Sequence, residues 1–333
     1  MHAAVSRPDV TVALPVRDAG PRLALVLQAV IGQETALEVE LLVCDSGSSD
    51  ASLEVARSHG ARLLEIRPSE FSHGATRNLL ACEARGNHVV FLTQDAVPAS
   101  TDWLERLVGA CHQAPDIGLA FGPYLPAPGA TPMTARELEG FFASFGGPRT
   151  DHLDKHELAL APRHLLGPRG FFTDANGCVA RAAWERVPFR DVPYAEDQQL
   201  AVDMLRAGYA KAFVPSAAVE HSHEYSTLRR LQRCFDEWRA LREVYGWIEP
   251  LGVTTLRDRV LAPARADVRW ARERGCPAGP LLASRAVVHH AARSAGAALG
   301  SRHDRLAPGL RRRLSLESRA TFPPINREND DAR

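Results

Sequence analysis

Between Val10 and Phe121, short apolar runs rich in β-branched residues alternate with segments of helical periodicity, and that alternation leaves few folds open. Val10-Thr-Val-Ala-Leu-Pro-Val16 reads as a buried strand, closed by the polar turn Arg17-Asp18-Ala19-Gly20. Leu23, Val26, Leu27, Val30 and Ile31 then make one apolar helix face. Val39 to Cys44 is a second strand ending at Asp45. In the turn Ser46-Gly-Ser-Ser-Asp50, Ser49 or Asp50 suits the cap of the next helix. Strands at Arg62–Ile66, His88–Leu92 and Ile117–Phe121 alternate with helices at Thr76–Arg85 and Leu104–Cys111. This pattern predicts an α/β fold, a mostly parallel sheet with helices on both faces. Ligands of such sheets bind beyond the carboxyl ends of strands, where Asp45 and Asp95 both fall.

From Pro123 to Gly170 the rhythm breaks into Pro- and Gly-rich segments around a short helix near Ala135–Phe145, the form of an excursion over a site. Order returns with Phe171–Ala180, a helix near Gln198–Arg206 and a strand near Lys211–Val214. Leu228, Leu231, Phe235, Trp238, Leu241 and Tyr245 trace a long amphipathic helix. The expected organisation is one catalytic unit over residues 1–246, split into parts at about 10–122 and 123–246. A helical C-terminal extension at 247–317 and a disordered tail at 318–333 follow.

Composition removes several classes of function. Lys plus Arg and Asp plus Glu balance at 40 each, so no global field points to a nucleic-acid partner, and any anion site is local. The six cysteines carry no C-x-x-C pair, which argues against a disulfide framework or structural zinc and for free thiols in a reducing compartment. The polar segment Ser6-Arg7-Pro8-Asp9 precedes the first apolar run, so no signal peptide is expected, and no run approaches the roughly 20 apolar residues of a membrane span. The expectation is a cytoplasmic protein. Its basic segment Leu306-Ala-Pro-Gly-Leu-Arg-Arg-Arg-Leu-Ser315 offers peripheral contact at the inner face of the membrane, against the plainer reading of a solvated tail.

Five segments carry groups fit for chemistry. Asp95, in Phe91-Leu-Thr-Gln-Asp-Ala-Val-Pro98, follows a strand too apolar to be exposed and suits a hard divalent cation, Mg²⁺ or Mn²⁺, bound with phosphate oxygens; a turn aspartate is the bland alternative. Asp45 suits a base or ribose, and the Ser-Gly turn after it leaves backbone N–H groups for an anion. In Phe71-Ser-His-Gly-Ala-Thr-Arg-Asn78, Gly74 permits close backbone approach. Arg77, placed in a first helical turn where a cation opposes the helix dipole, offers a fork for phosphate. Tyr194-Ala-Glu-Asp-Gln-Gln199 sets two carboxylates at a helix start; one can be a general base, and spacing does not choose between Glu196 and Asp197. In Val219-Glu-His-Ser-His-Glu-Tyr225 the two histidines at i, i+2 share one face of an extended segment, and one can complete a metal shell.

Taken in order from about Val10 to Gly246, these segments resemble the family 2 glycosyltransferases of GT-A fold, most of all their bacterial rhamnosyltransferase-like branch. The residues that carry the likeness are Phe71–Asn78, Thr93-Gln-Asp-Ala-Val-Pro98, Ala195-Glu-Asp-Gln198 and His221-Ser-His-Glu-Tyr-Ser226. The resemblance implies a nucleotide-sugar donor, dTDP-L-rhamnose or else a UDP- or GDP-sugar, and a saccharide or lipid-linked saccharide acceptor. It implies that Pro15 and Asp45 line the nucleoside pocket, that Arg77 approaches the nucleotide or its diphosphate, and that Gln94 and Asp95 meet the nucleotide sugar. It also implies that Asp95 and His221 hold the metal, that Asp197 is the base, and that Glu196 assists the acceptor. Thr93 stands where the D-x-D metal motif has its first aspartate. A non-catalytic nucleotide-sugar scaffold is the competing class. A dinucleotide-dependent oxidoreductase is disfavoured, because Arg17-Asp-Ala-Gly-Pro21 replaces the G-x-G-x-x-G turn.

Overall fold

The computed structural model describes residues 7–316, except 161 and 166; the tail expected at 318–333 lies outside the described residues. The first half runs β1 Val10–Val16, α1 Arg22–Ile31, β2 Val39–Asp45, α2 Ser52–Ser58, β3 Arg62–Glu65, α3 His73–Glu83 and β4 His88–Leu92. It continues with β5 Val97–Pro98, α4 Trp103–Cys111, β6 Ile117–Phe121, β7 Tyr124–Leu125, α5 Pro132–Ala143, β8 Arg149–Asp151 and α6 Lys155–Leu158. Then come β9 Asn176–Ala180, α7 Arg181–Trp184, α8 Glu196–Arg206, β10 Ala210–Phe213, β11 Val219–Glu220 and α9 Thr227–Tyr245. Helices α10 Val253–Leu256, α11 Ala262–Glu273, α12 Pro280–Gly300 and α13 Pro308–Leu314 form the C-terminal region, with a π-helical turn at Arg257–Leu261.

Eight strands form one sheet in the order β3-β2-β1-β4-β9-β6-β10-β8. Strands β1 to β4 are mutually parallel, as are β6 and β10, as the alternation predicts. Strand β9 runs antiparallel to both β4 and β6. Its start therefore sits at the same sheet edge as the ends of β4 and β6. The register brings Gly177 opposite both Phe91 and Phe121, and a Cβ there would lie 2.3 Å from the Thr173 carbonyl. Buried Asn176 binds this insertion to its surroundings: Trp103 Nε1 donates to its Oδ1 at 2.8 Å, and its Nδ2 donates to the Ala217 carbonyl at 2.8 Å.

The pleat of β1 divides the core. Val10, Val12 and Leu14 pack with Leu23 and Leu27 of α1 and Leu104 and Leu107 of α4, while Ala13 joins Leu80 of α3 and Leu200 of α8 on the other face. Two local expectations shift. Helix α3 begins at His73, capped by Ser72 accepting from Ala75 N, so Arg77 lies in the second turn and the first-turn dipole argument does not apply to it. Helix α2 has Ala51 at its cap position without a side-chain cap; Asp50 accepts instead from Ser52 N at 3.0 Å, and Ser49 N is spent on Asp18.

Candidate active site

Three kinds of chain end meet at one rim of the sheet: the exit of β4, the entry of β9 and the N-terminus of α8. Together with the segment leaving β11 and one face of α5 they enclose a cleft of about 470 Å³. It is lined by Arg77, Asp95, Glu196, Asp197 and His221 among the residues expected from the sequence.

Asp95 lies just beyond β4, between two imidazoles from beyond β11. His221 Nδ1 is 3.4 Å from Oδ1 and His223 Nε2 is 3.6 Å from Oδ2. The two histidines share a face as the i, i+2 spacing predicts, their ring centroids 4.7 Å apart. Burial alone would raise the Asp95 carboxyl; the facing His221 and His223 outweigh it and hold it down at about 2. Burial, and the neighbouring His221, push His223 below its ordinary value, towards the neutral ring that can ligate. One ligand atom from each residue falls within 4.8 Å of the others, and among the described residues the buried His221 Nδ1 has no hydrogen-bond partner. A carboxylate with two imidazoles fits a divalent cation, and fits Mn²⁺ better than the oxygen-seeking Mg²⁺. His223 thus joins a group from which the sequence had singled out His221.

The second cluster lies under the adjacent carboxylates. Glu196 and Asp197 open α8, where the helix dipole favours them, directly after Ala195 in the left-handed region at φ 59°. Gln198 N donates to Asp197 Oδ1 at 2.7 Å. Glu196 is buried against Arg77, whose Nη1 is 3.0 Å from its Oε1. The other edge of that guanidinium grips Asp174: Nη2 donates to Oδ1 at 2.8 Å and Nε contacts Oδ2. Burial pushes the Asp174 carboxyl well up despite the arginine, whereas in Glu196 the Arg77 charge overcomes burial and holds the carboxyl down. Asp197 keeps an edge open to the cleft, and burial followed by the charge of Glu196 pushes it up to about 7. A carboxylate so tuned takes a proton from a hydroxyl near neutral pH.

Other expected residues stand elsewhere. Pro15 and Asp45 lie at the ends of β1 and β2, outside the lining of this cleft. The buried Asp45 carboxylate accepts from Gly47 N at 3.2 Å and Ser48 N at 2.8 Å. Those amides therefore cap the chain's own aspartate and are not left for an anion, as the turn had implied. Gln94, also outside that lining, clips the backbone of Arg17 through both ends of its amide, at 2.8 and 3.1 Å.

Sequence reasoning missed Asp174 and the far wall. Leu138, Phe141 and Phe142 of α5, with Phe171, give the cleft an apolar side. Arg233 of α9 lies over the Tyr194 ring at 4.6 Å from its centroid. The polar run Thr173-Asp-Ala-Asn176 ahead of an apolar strand was the available signal for Asp174.

Residues 11–167 match the family described as glycosyl transferase family 2. The chain is 30% identical over 233 residues to the O-antigen chain rhamnosyltransferase WbaN of Salmonella anatum, covering 69% of this chain and 71% of that protein. It is 31% identical over 232 residues to RfbN of Salmonella typhimurium strain LT2, described likewise, covering 68% and 70%. Among solved structures, the mannosyltransferase PcManGT of Pyrobaculum calidifontis, in complex with GDP-Man and Mn²⁺, superposes with a TM-score of 0.59 at 18% identity, over 91% of this chain and 89% of that one. TarS 1-349 of S. aureus follows the same path with a TM-score of 0.51 at 12% identity, over 89% and 91%. With the sheet order and the clustered carboxylates already in place, these likenesses decide the matter: the chain belongs to glycosyltransferase family 2 and is an enzyme with the GT-A fold.

Proposed function

We propose that this chain is an inverting rhamnosyltransferase, moving L-rhamnose from dTDP-L-rhamnose to a hydroxyl of a saccharide or lipid-linked saccharide acceptor in synthesis of a cell-surface polysaccharide. The observation that carries this reading is the likeness to two O-antigen chain rhamnosyltransferases over more than two thirds of either chain. In the proposed reaction the acceptor oxygen bonds to the anomeric carbon while its proton passes to Asp197. The bond from that carbon to the diphosphate oxygen breaks, its electrons leaving on the nucleoside diphosphate, and configuration inverts. Glu196 assists acceptor binding, and Pro15 and Asp45 line the nucleoside pocket. A divalent cation held by Asp95, His221 and His223 would neutralise charge developing on the leaving diphosphate.

The part at about 10–122 takes the nucleotide in this reading, and that at 123–246 the acceptor. Among the described residues no helix is long and apolar enough to cross a membrane. Contact with an anionic leaflet would run through α13, which exposes Leu310, Arg312 and Arg313.

The test is calorimetric titration of the chain with a panel of nucleotide sugars, with and without Mn²⁺ or Mg²⁺. Metal-dependent binding of dTDP-L-rhamnose above UDP- and GDP-sugars is the expected result. A UDP- or GDP-sugar bound preferentially would replace the donor and leave the mechanism. Binding of none by the folded chain would bring the scaffold reading forward.

A further inference from the structure

The segment Phe71–Asn78, which looks in sequence like a nucleotide-binding motif, faces the chain that leads into Glu196 and Asp197. Ser72 Oγ donates to Asp191 Oδ1 at 2.6 Å. A Cβ on Gly74 would lie 2.1 Å from the Arg190 carbonyl, so only glycine lets the two backbones meet there. Asn78 Nδ2 donates to the Phe189 carbonyl at 2.8 Å, and its Oδ1 accepts from Phe189 N at 3.0 Å. Arg77 completes the series at Glu196. Ser72 and one side of α3 therefore grip residues 189–196 at four points.

We propose that Arg77, clamped by Asp174, is the positioning residue of the Glu196–Asp197 pair, and that its guanidinium serves this pair instead of the donor's diphosphate. The proposal rests on the reading of Asp197 as the base. Its geometric ground is the occupancy of the fork. Nε and Nη2 meet Asp174, while Nη1 meets Glu196 and donates to the His73 carbonyl at 3.1 Å. Arg77 is 3% exposed, and Asp174 and Glu196 are each 5% exposed. A diphosphate would have to break a buried bidentate pair to reach this cation, at the cost of an uncompensated buried charge.

The same arrangement separates the three carboxylates. Two share the guanidinium, and Asp197 is left with an open edge on the cleft. The titratable and charged groups around it are His73 and Arg77 of α3, Tyr124 of β7, Asp174, its neighbour Glu196, and Arg233 and Tyr245 of α9. Burial and Glu196 raise Asp197, and the charge of Arg77 opposes them. Ala195, held at φ 59° just before the pair, is the backbone conformation this anchoring maintains.

The experiment measures Arg77→Lys, Arg77→Gln and Asp174→Asn beside Asp197→Asn. The donor is whichever nucleotide sugar binds the unaltered chain best in the panel above. Affinity is read by calorimetry, and turnover as donor hydrolysis across pH. The lysine keeps the charge without a planar fork, so turnover falls about 100-fold through misplacement, donor affinity stays within about twofold, and the acid limb holds its pH. The glutamine also loses the charge, so its acid limb moves to higher pH. Asp174→Asn, which keeps the shape, lowers turnover at unchanged donor affinity and answers the question should Arg77→Gln not fold. Lost donor affinity with turnover retained, in Arg77→Lys or Asp174→Asn, would overturn the proposal and return Arg77 to the diphosphate. Full hydrolysis by Asp197→Asn would instead sink the base assignment, and leaves the affinity result for Arg77 to be read by itself.

Discussion

His223 Nε2 faces Asp95 Oδ2 at 3.6 Å, the carboxylate oxygen opposite to the one that His221 faces. The carboxylate is thus bracketed rather than touched on one side. His221 is the more deeply buried, its side chain 11% exposed against 44% for His223. His221→Ala should weaken Mn²⁺-dependent donor binding by more than about tenfold, and His223→Ala by less. Metal titrations followed through donor binding check this, and a larger loss from His223→Ala would reverse the ranking.

Asp95→Ala should remove the metal dependence itself, since it takes away the charge around which both rings are arranged. Donor titrations with and without Mn²⁺ should then coincide. A metal response equal to that of the unaltered chain would remove Asp95 from the site.

The proposed base must be deprotonated to act, and burial with the charge of Glu196 pushes Asp197 up to about 7. The rate should therefore climb as pH rises through about 7 and level off above it. Asp197→Asn should cost about 10²- to 10⁴-fold in turnover and abolish that limb, with donor affinity near normal. There is a linked effect on stability. The folded chain holds a proton on Asp197 that the unfolded chain has released between its ordinary range and about 7, so ionisation costs stability as pH rises across that window. Asp197→Asn should accordingly melt higher than the unaltered chain at pH 8, and an equal or lower melting point would contradict the burial argument.

Ala195 carries its left-handed backbone with a Cβ, at a cost of roughly 1–2 kcal/mol. Ala195→Gly should raise the melting temperature by a few degrees, offset in part by the freedom glycine gains when unfolded. Ala195→Val should lower it, since a β-branched residue tolerates that conformation least. Thermal unfolding of the two variants at one pH gives the comparison.

Gly74→Ala forces a methyl against the Arg190 backbone, which cannot swing aside as a side chain can. We expect a loss of about 1–3 kcal/mol, measured by denaturant unfolding, together with a fall in turnover. Full stability would show that the contact between α3 and residues 189–196 yields easily.

Much of this was legible in the chain. The apolar runs fix which segments are strands, and the pair Glu196–Asp197 and the spaced histidines stand out because polar groups interrupt a strong pattern. Periodicity carries no strand direction, however. Asp174 escaped because it precedes its strand, and only the antiparallel course of β9 brings that end to the rim where Asp95 follows β4. The turn after Asp45 misled in the opposite sense: its amides, free for an anion on residue types alone, are claimed by the Asp45 carboxylate. Whether a turn's amides await a ligand or satisfy a neighbouring side chain is decided by amide directions that residue types do not record.

Glu137 of α5 lies one residue before Leu138 of the cleft wall, and its partners come from far along the chain. Arg293 and His289, at 3.2 Å, meet its Oε1, as does His290 at 3.4 Å, and His290 in turn reaches buried Asp267 at 2.6 Å. These partners outweigh burial and hold Glu137 down at about 2. The last helices are thus the counter-charge of the wall against which the acceptor would lie. A chain cut at Gly246 would lose them and leave an anion without these partners in the wall itself, beside Leu138 and Phe142. A graft of α5 between relatives should then carry α11 and α12 with it, because the wall and its brace are held together as one unit by Arg136 with Asp267 and by Glu137 with His289 and Arg293.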